Sequence, residues 1–204
     1  MEQTKLLFSS TIRSFKKGAH IHNSKADCLG ALFVIEGSLR AYLLSDNGRE
    51  ITLFHIEESE CCVLSASCIL PLITFDIFVD ALADTRLLVV APLALSELIE
   101  ENIHIDSFAY RQTAERFSEV MWVFHQVLFV SFDRRLASCL IEESNLAGKY
   151  TVAMTHEQLA KDLGSAREVV TRMLKYFQQE GLVRLSRGTI TILDPAKLRE
   201  LARP

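Results

Sequence analysis

Glu168, Thr171, Arg172 and Lys175 recur at helical spacing, so one face of a single helix would carry all four, with Arg167 at its N-terminal end. That set has the chemistry to read a base pair. A guanidinium can donate two parallel hydrogen bonds to guanine O6 and N7, and a glutamate can accept from cytosine N4. Lys175, farther along, suits a phosphate oxygen, a contact that fixes register without reading sequence. Val170, Met173, Leu174 and Phe177 fall at i, i+3, i+4 and i+7 and make the opposing apolar stripe, which must face the protein's own core. The plain alternative is a solvated, charged helix face without a ligand. What surrounds the helix argues against it.

The helix is framed on both sides. Thr155 with Gln158 fits a capping box, Ser165 with Glu168 repeats the pattern, and Gly164 stands between them where the chain must turn sharply. Two short helices about a glycine turn make a helix-turn-helix, whose second helix enters the major groove. Ser165, at the start of that helix, joins the candidate DNA-contacting set. Downstream, Val183, Leu185, Ile190 and Ile192 alternate with polar residues on either side of Ser186-Arg187-Gly188. This predicts a hairpin wing with Arg187 in its turn. Residues 132–204 hold 12 Lys/Arg against 9 Asp/Glu, a net of +3, while residues 1–131 hold 10 against 17, a net of −7. The formal charge of −4 therefore conceals an acidic front and a basic back. Phosphate attraction needs only a local patch.

These elements need a scaffold. A chain of 204 residues that is 49% hydrophobic can bury a core and suggests one or two domains. The opening MEQTKLLFSSTIRSFKKG lacks the apolar run of a signal peptide. No stretch approaches the ~20 apolar residues needed to span a bilayer, so a cytoplasmic protein without a membrane partner is expected. Five cysteines form no spaced disulfide framework.

The front half reads as short strands. Leu32–Leu44 is two apolar runs broken at Glu36-Gly37-Ser38, Asp46-Asn47-Gly48 marks a tight turn, and Ile51–Ile56 follows; a further pair is expected around Ile73–Val79 and Arg86–Ala91. Pro92 ends the run before a short helix at Leu95–Glu101. The predicted fold class is α+β: a double-stranded, jelly-roll-like β-roll over 1–102, a long central helix within 103–131, and a winged helix-turn-helix over 132–204. The long helix, about Asp106 to Val130, carries Phe117, Val120, Met121, Phe124, Val127 and Leu128 on one face. One roll cannot cover that face. It predicts a homodimer through Phe117, Val120, Met121, Phe124 and Leu128. Ser131-Phe132-Asp133 marks a break, and a candidate hinge, before a helix at Arg134–Asn145.

Roll, long helix and winged helix-turn-helix in this order resemble the Crp/Fnr family of bacterial transcription regulators across almost the whole chain. The most specific segments are FVIEGSLRAYLLSDNGREITLFHI, FDRRLASCLI and MTHEQLAKDLGSAREVVTRMLKYFQQEGLV. The resemblance implies that Arg167, Glu168 and Arg172 match the family's Arg-Glu-x-x-x-Arg reading triplet, with half-sites resembling TGTGA. Val169 and Thr171 leave the outer base preferences open. It also implies a homodimer on a palindromic duplex, with half-site centres roughly 34 Å apart. RNA polymerase stays an open partner, since activation patches have no readable signature.

The signal is less legible. Cyclic-AMP-binding members carry a Gly-Glu pair and a following Arg-Ser in the roll. Here the segment from Glu58 to Pro71 has neither that pair nor any arginine before Arg86. A buried anionic phosphate needs such a charge partner, so cyclic AMP is not the expected ligand. Cys61, Cys62 and Cys68 are the effector or redox candidates. With Cys28 they supply enough thiols for an iron–sulfur cluster. Oxygen-sensing relatives, however, use a close-spaced group near the N-terminus, and adjacent cysteines rarely ligate one cluster. Haem-based relatives place a histidine in this segment, where Ser65 stands instead. The ordinary reading is small buried hydrophobes, and an unknown small-molecule effector is the remaining one.

Among the histidines, His20 and His22 would share one face of a strand and could hold a metal, but no third ligand follows at a convincing distance. His156 opens a helix with no chemical role expected. For His125, in the central helix, a dimer-interface or pH-sensing role stays open. Two other functions stay in view. One is a constitutive DNA binder with a degenerate roll. The other is a cupin-like metal enzyme, disfavoured because Glu36 follows His22 too distantly for that chemistry.

Overall fold

A computed structural model describes residues 10–23, 29–46, 48–66 and 77–203. The chain divides into two compact units, Met1–Leu44 with Thr52–Met121, and Ser45–Ile51 with Trp122–Pro204.

The first unit is built on eight short strands: β1 (Ser10–Phe15), β2 (His20–His22), β3 (Ala31–Glu36), β4 (Leu39–Leu44), β5 (Glu50–Ile56), β6 (Cys61–Cys62), β7 (Phe78–Ala81) and β8 (Thr85–Val90). They form two four-stranded sheets, ordered β1-β8-β3-β6 and β2-β7-β4-β5. In β7 the buried Val79 and Ala81 alternate with the half-buried Phe78 and Asp80, whereas β4 buries Leu39 through Tyr42 in succession. Leu32 pairs with Val89 and Val34 with Leu87 in one sheet, Leu39 with Ala81 and Ala41 with Val79 in the other. All eight of these residues lie in a single apolar core. At the predicted break Gly37 has φ +90°, and a Cβ there would lie 2.6 Å from the Thr85 hydroxyl and 2.7 Å from the Asp84 carbonyl. Only glycine fits that turn.

His20 and His22 do not share a face. The register between β2 and β7 shifts between them, leaving His20 exposed and His22 buried. The bulge breaks the period of two that the metal-pair reading assumed. His20 instead meets Asp80, with Nδ1 2.7 Å from the carboxylate. The strand expected around Ile73–Val79 is seen as β7, and residues 73–76 lie outside the described residues.

Helix α1 (Pro92–Glu101) opens with proline at its first turn, where the missing N–H is harmless. Helix α2 runs from Ile103 to Phe129, 27 residues, and starts earlier than its sequence pattern predicted. The second unit adds α3 (Phe132–Leu146), β9 (Thr151–Val152), α4 (His156–Asp162), α5 (Arg167–Gln179), β10 (Val183–Ser186), β11 (Thr189–Ile192) and α6 (Pro195–Ala202). Its core gathers Leu136, Leu140, Leu159, Val170, Leu174 and Phe177 with the wing residues Val183, Ile190 and Ile192. Strand β9, paired to β11, and helix α6, whose Asp194 cap accepts from Lys197 N–H at 2.9 Å, were not anticipated from the sequence.

Candidate nucleic-acid interface

The turn between α4 and α5 sets the angle at which α5 leaves α4. At the start of α4, Thr155 Oγ1 accepts from Gln158 N–H at 3.1 Å, and Gln158 Oε1 accepts from Thr155 N–H at 2.8 Å. This is the predicted capping box. At its end, Gly164 takes φ +56°. Gly164 N–H then points to the Lys161 carbonyl at 3.4 Å and Ser165 N–H to the Ala160 carbonyl at 2.8 Å. Those two bonds are a Schellman closure of α4. The remaining turn carbonyls are held by arginines: Arg135 donates to Leu163 and Arg49 to Gly164. Glu50, beside Arg49, pairs with Lys161 at 2.9 Å.

Ser165 therefore does not cap α5. The N-cap is Ala166, with no side-chain cap bond, and Ser165 is spent on closing α4. The predicted second capping box fails because the glycine turn needs one more residue than the pattern allowed.

Helix α5 divides as its spacing predicted. Val170, Leu174 and Phe177 are fully buried, and Met173 packs against the same core. Arg167, Glu168, Arg172 and Lys175 are exposed, and Thr171 is half-buried. These five line one open depression of about 390 Å³. Arg187 stands exposed in the β10–β11 turn and Arg184 on β10; neither they nor Ser165 line the depression. Glu168 lies in the first turn, where the positive end of the helix favours a carboxylate. Such a surface offers two forked donors, an acceptor and a point charge to a groove edge.

His156 enters this site unannounced. Its Nδ1 lies 2.9 Å from Thr171 Oγ1, and Thr171 Oγ1 donates to the Arg167 carbonyl at 2.8 Å. Burial, then the Arg167 charge, holds the imidazole below its ordinary pKa.

On α2 the structure splits the predicted apolar face. Phe117, Met121, Phe124 and Leu128 remain 64%, 49%, 47% and 67% exposed. Val120, predicted with them, instead packs against the core of its own roll. It sits about 60° round the helix from Phe117, on the side that meets the sheets. Tyr110 extends the exposed row toward the helix N-terminus.

Cys61 and Cys62 are buried, free thiols. Burial pushes Cys61 up to about 11, and it raises Cys62 as well. Cys61 Sγ donates to Gln112 Oε1 at 3.3 Å. Cys28 and Cys68, needed for a four-thiol set, lie outside the described residues. Ser65 Oγ is tied to the Gly30 and Cys62 carbonyls at 2.7 and 2.8 Å. Among the described residues no three His, Cys, Asp or Glu side chains gather to hold a metal. Two buried arginines were missed in the sequence. Arg40 lies over the Tyr42 ring, and Arg116, from α2, reaches Glu119 at 2.8 Å and Glu60 at 3.4 Å above the Phe54 ring.

Residues 134–201 match a family model described as the Crp-like helix-turn-helix domain. A crystal structure assigned to the crp/fnr family of transcriptional regulators, from Eubacterium rectale, is 43% identical with a TM-score of 0.93, over 100% of this chain and 94% of that one. The transcriptional activator protein anr of Pseudomonas aeruginosa is 27% identical over 93% of this chain and 80% of its own length. The transcriptional regulator SdrP of Thermus thermophilus is 40% identical over 33% of this chain and 37% of its own.

Proposed function

The chain belongs to the Crp/Fnr family of DNA-binding transcription regulators, and we propose that it works as a homodimer on inverted-repeat operators. In this reading Arg167, Glu168, Thr171 and Arg172 meet base edges, while Lys175, Ser165 and Arg187 hold the phosphate backbone. One observation carries it. Five polar side chains of α5 line a single open depression while Val170, Leu174 and Phe177 on the opposite stripe of the same helix are fully buried. Relatives of this family are transcription regulators rather than enzymes, and no described helix is long and apolar enough to cross a membrane. Action on chromosomal DNA places its work in the cytoplasm.

The roll is the proposed seat of the signal. Burial of Cys61 and Cys62 favours a small-molecule effector over thiol oxidation, because the reactive thiolate is suppressed. Such an effector need not touch DNA. It must bind better to the conformation in which both reading helices fit the duplex. A hundredfold change in operator occupancy corresponds to about 2.7 kcal/mol of differential affinity. The test is fluorescence anisotropy at fixed salt on a duplex with two TGTGA-like half-sites one turn apart, against a scrambled duplex. Tight, salt-sensitive binding to the first with at least a hundredfold preference is expected. Equal affinity for both would remove the reading.

A further inference from the structure

We propose that His156 is a positioning residue for base reading: it pins the Thr171 hydroxyl to the helix backbone, so that Thr171 presents its methyl group to the groove and selects thymine. The proposal rests on α5 being the recognition helix and adds to it the identity of one base contact and its support.

A threonine hydroxyl has one proton. The Thr171 Oγ1 proton goes to the Arg167 carbonyl at 2.8 Å, one turn back along α5. His156 Nδ1, 2.9 Å from the same oxygen, must then be the donor, which fixes the Nδ1–H tautomer. With its proton committed and one lone pair occupied, the hydroxyl cannot donate to guanine O6 or N7, adenine N7 or thymine O4. The other branch of the side chain is the methyl. Thr171 is half-buried and lines the open depression with Arg167, Glu168, Arg172 and Lys175, and in this proposal the methyl is the branch that meets that space. A threonine methyl in the major groove contacts the thymine C5-methyl. His156 comes from the first turn of α4, fifteen residues away, so the bond that orients Thr171 is made across the glycine turn.

The test begins with selection from a random half-site library by the full-length protein, its Thr171→Ser variant and its His156→Ala variant. The base pair at which Thr171→Ser broadens selection identifies the Thr171 contact. Thymine is expected there. Replacing that thymine by deoxyuridine removes only the methyl and should weaken wild-type binding roughly fourfold, the value of one buried methyl group. His156→Ala should bring the thymine-to-deoxyuridine ratio close to one and broaden choice at that base pair alone. His156→Asn, whose side-chain N–H can stand where Nδ1–H stood, should restore it. An unchanged ratio in His156→Ala, or equal losses on operator and random DNA, would overturn the positioning role. Specific wild-type binding without thymine preference at the Thr171 contact would sink this proposal and spare the recognition helix. No specific binding at all would sink both.

Discussion

Arg172 and Lys175 lie on the same exposed stripe of α5, yet the chemistry of their charges assigns them different work. A guanidinium bonded to guanine discriminates. Arg172→Ala should therefore cost about 1–3 kcal/mol on the operator and relax selection at one base pair. Lys175→Ala should weaken operator and random DNA alike and lower the slope of log affinity against log salt by about one. Titrations of both variants at several salt concentrations on both duplexes read the difference directly, and identical behaviour would erase the distinction between reader and anchor. Cys61 yields a second prediction at this scale. Its thiol is raised from 9.0 to about 11, so its contribution to stability is intact below pH 9 and fades as pH climbs toward 11. Peptide mapping after maleimide treatment at pH 7.5 should find Cys61 labelled slowly in the native protein and quickly in denaturant. Fast native labelling would return the redox reading to contention. Glu168, Thr171, Arg172 and Lys175 were legible in the sequence because helical periodicity alone places them on one face, and the depression adds Arg167 from the N-terminal end of the helix. The His156–Thr171 bond was not, since it depends on how two helices cross, and that angle comes from the glycine turn and not from either helix's own pattern.

At the turn between α4 and α5 the structure ranks three residues, Gly164, Thr155 and Ser165, differently from the sequence. Gly164 sits at φ +56°, and an added Cβ would lie 3.3 Å from Ile51 Cγ2. Gly164→Ala should cost about 1–2 kcal/mol for the left-handed backbone alone. Thr155→Ala removes a capping bond seen at 3.1 Å and should cost about 1 kcal/mol. Ser165→Ala should stay within ~0.5 kcal/mol, because the part of Ser165 in use is its backbone N–H. Urea unfolding of the three variants orders these costs. A Ser165→Ala loss as large as that of Thr155→Ala would reinstate the second capping box. The sequence announced a start signal at both helices, and both were chemically sound. Only one is used, because a Schellman closure takes two residues beyond α4 and moves the next helix start to Arg167. Strand β9 was illegible for another reason. Two residues have no period, and they become a strand only because β11 offers an edge.

At the scale of the whole molecule the question is what covers α2. Tyr110, Phe117, Met121, Phe124 and Leu128 are all exposed, and from Phe117 onward they recur in steps of four, three and four. That spacing fits the heptad seam of two helices wound about each other, which we propose as the homodimer interface; none of the core clusters among the described residues uses it. Val120 and the half-buried Val127 fall outside the seam, and Val120 packs on the roll core. The sequence showed one broad apolar face because hydrophobicity marks burial without saying against which partner; the structure separates the part satisfied within the chain from the part left over. Phe124 sits midway along that leftover row, so Phe124→Asp would set two carboxylates against each other across the proposed two-fold seam. Sedimentation equilibrium should show the wild type at twice the chain mass and the variant at the chain mass, with far-UV circular dichroism unchanged because Phe124 is exposed and joins no core cluster among the described residues. Operator affinity should fall to that of a single half-site, since two linked reading helices gain from effective concentration and one does not. A variant that stays dimeric would place the interface elsewhere. One that becomes monomeric yet binds the full operator as before would break the link between pairing and recognition.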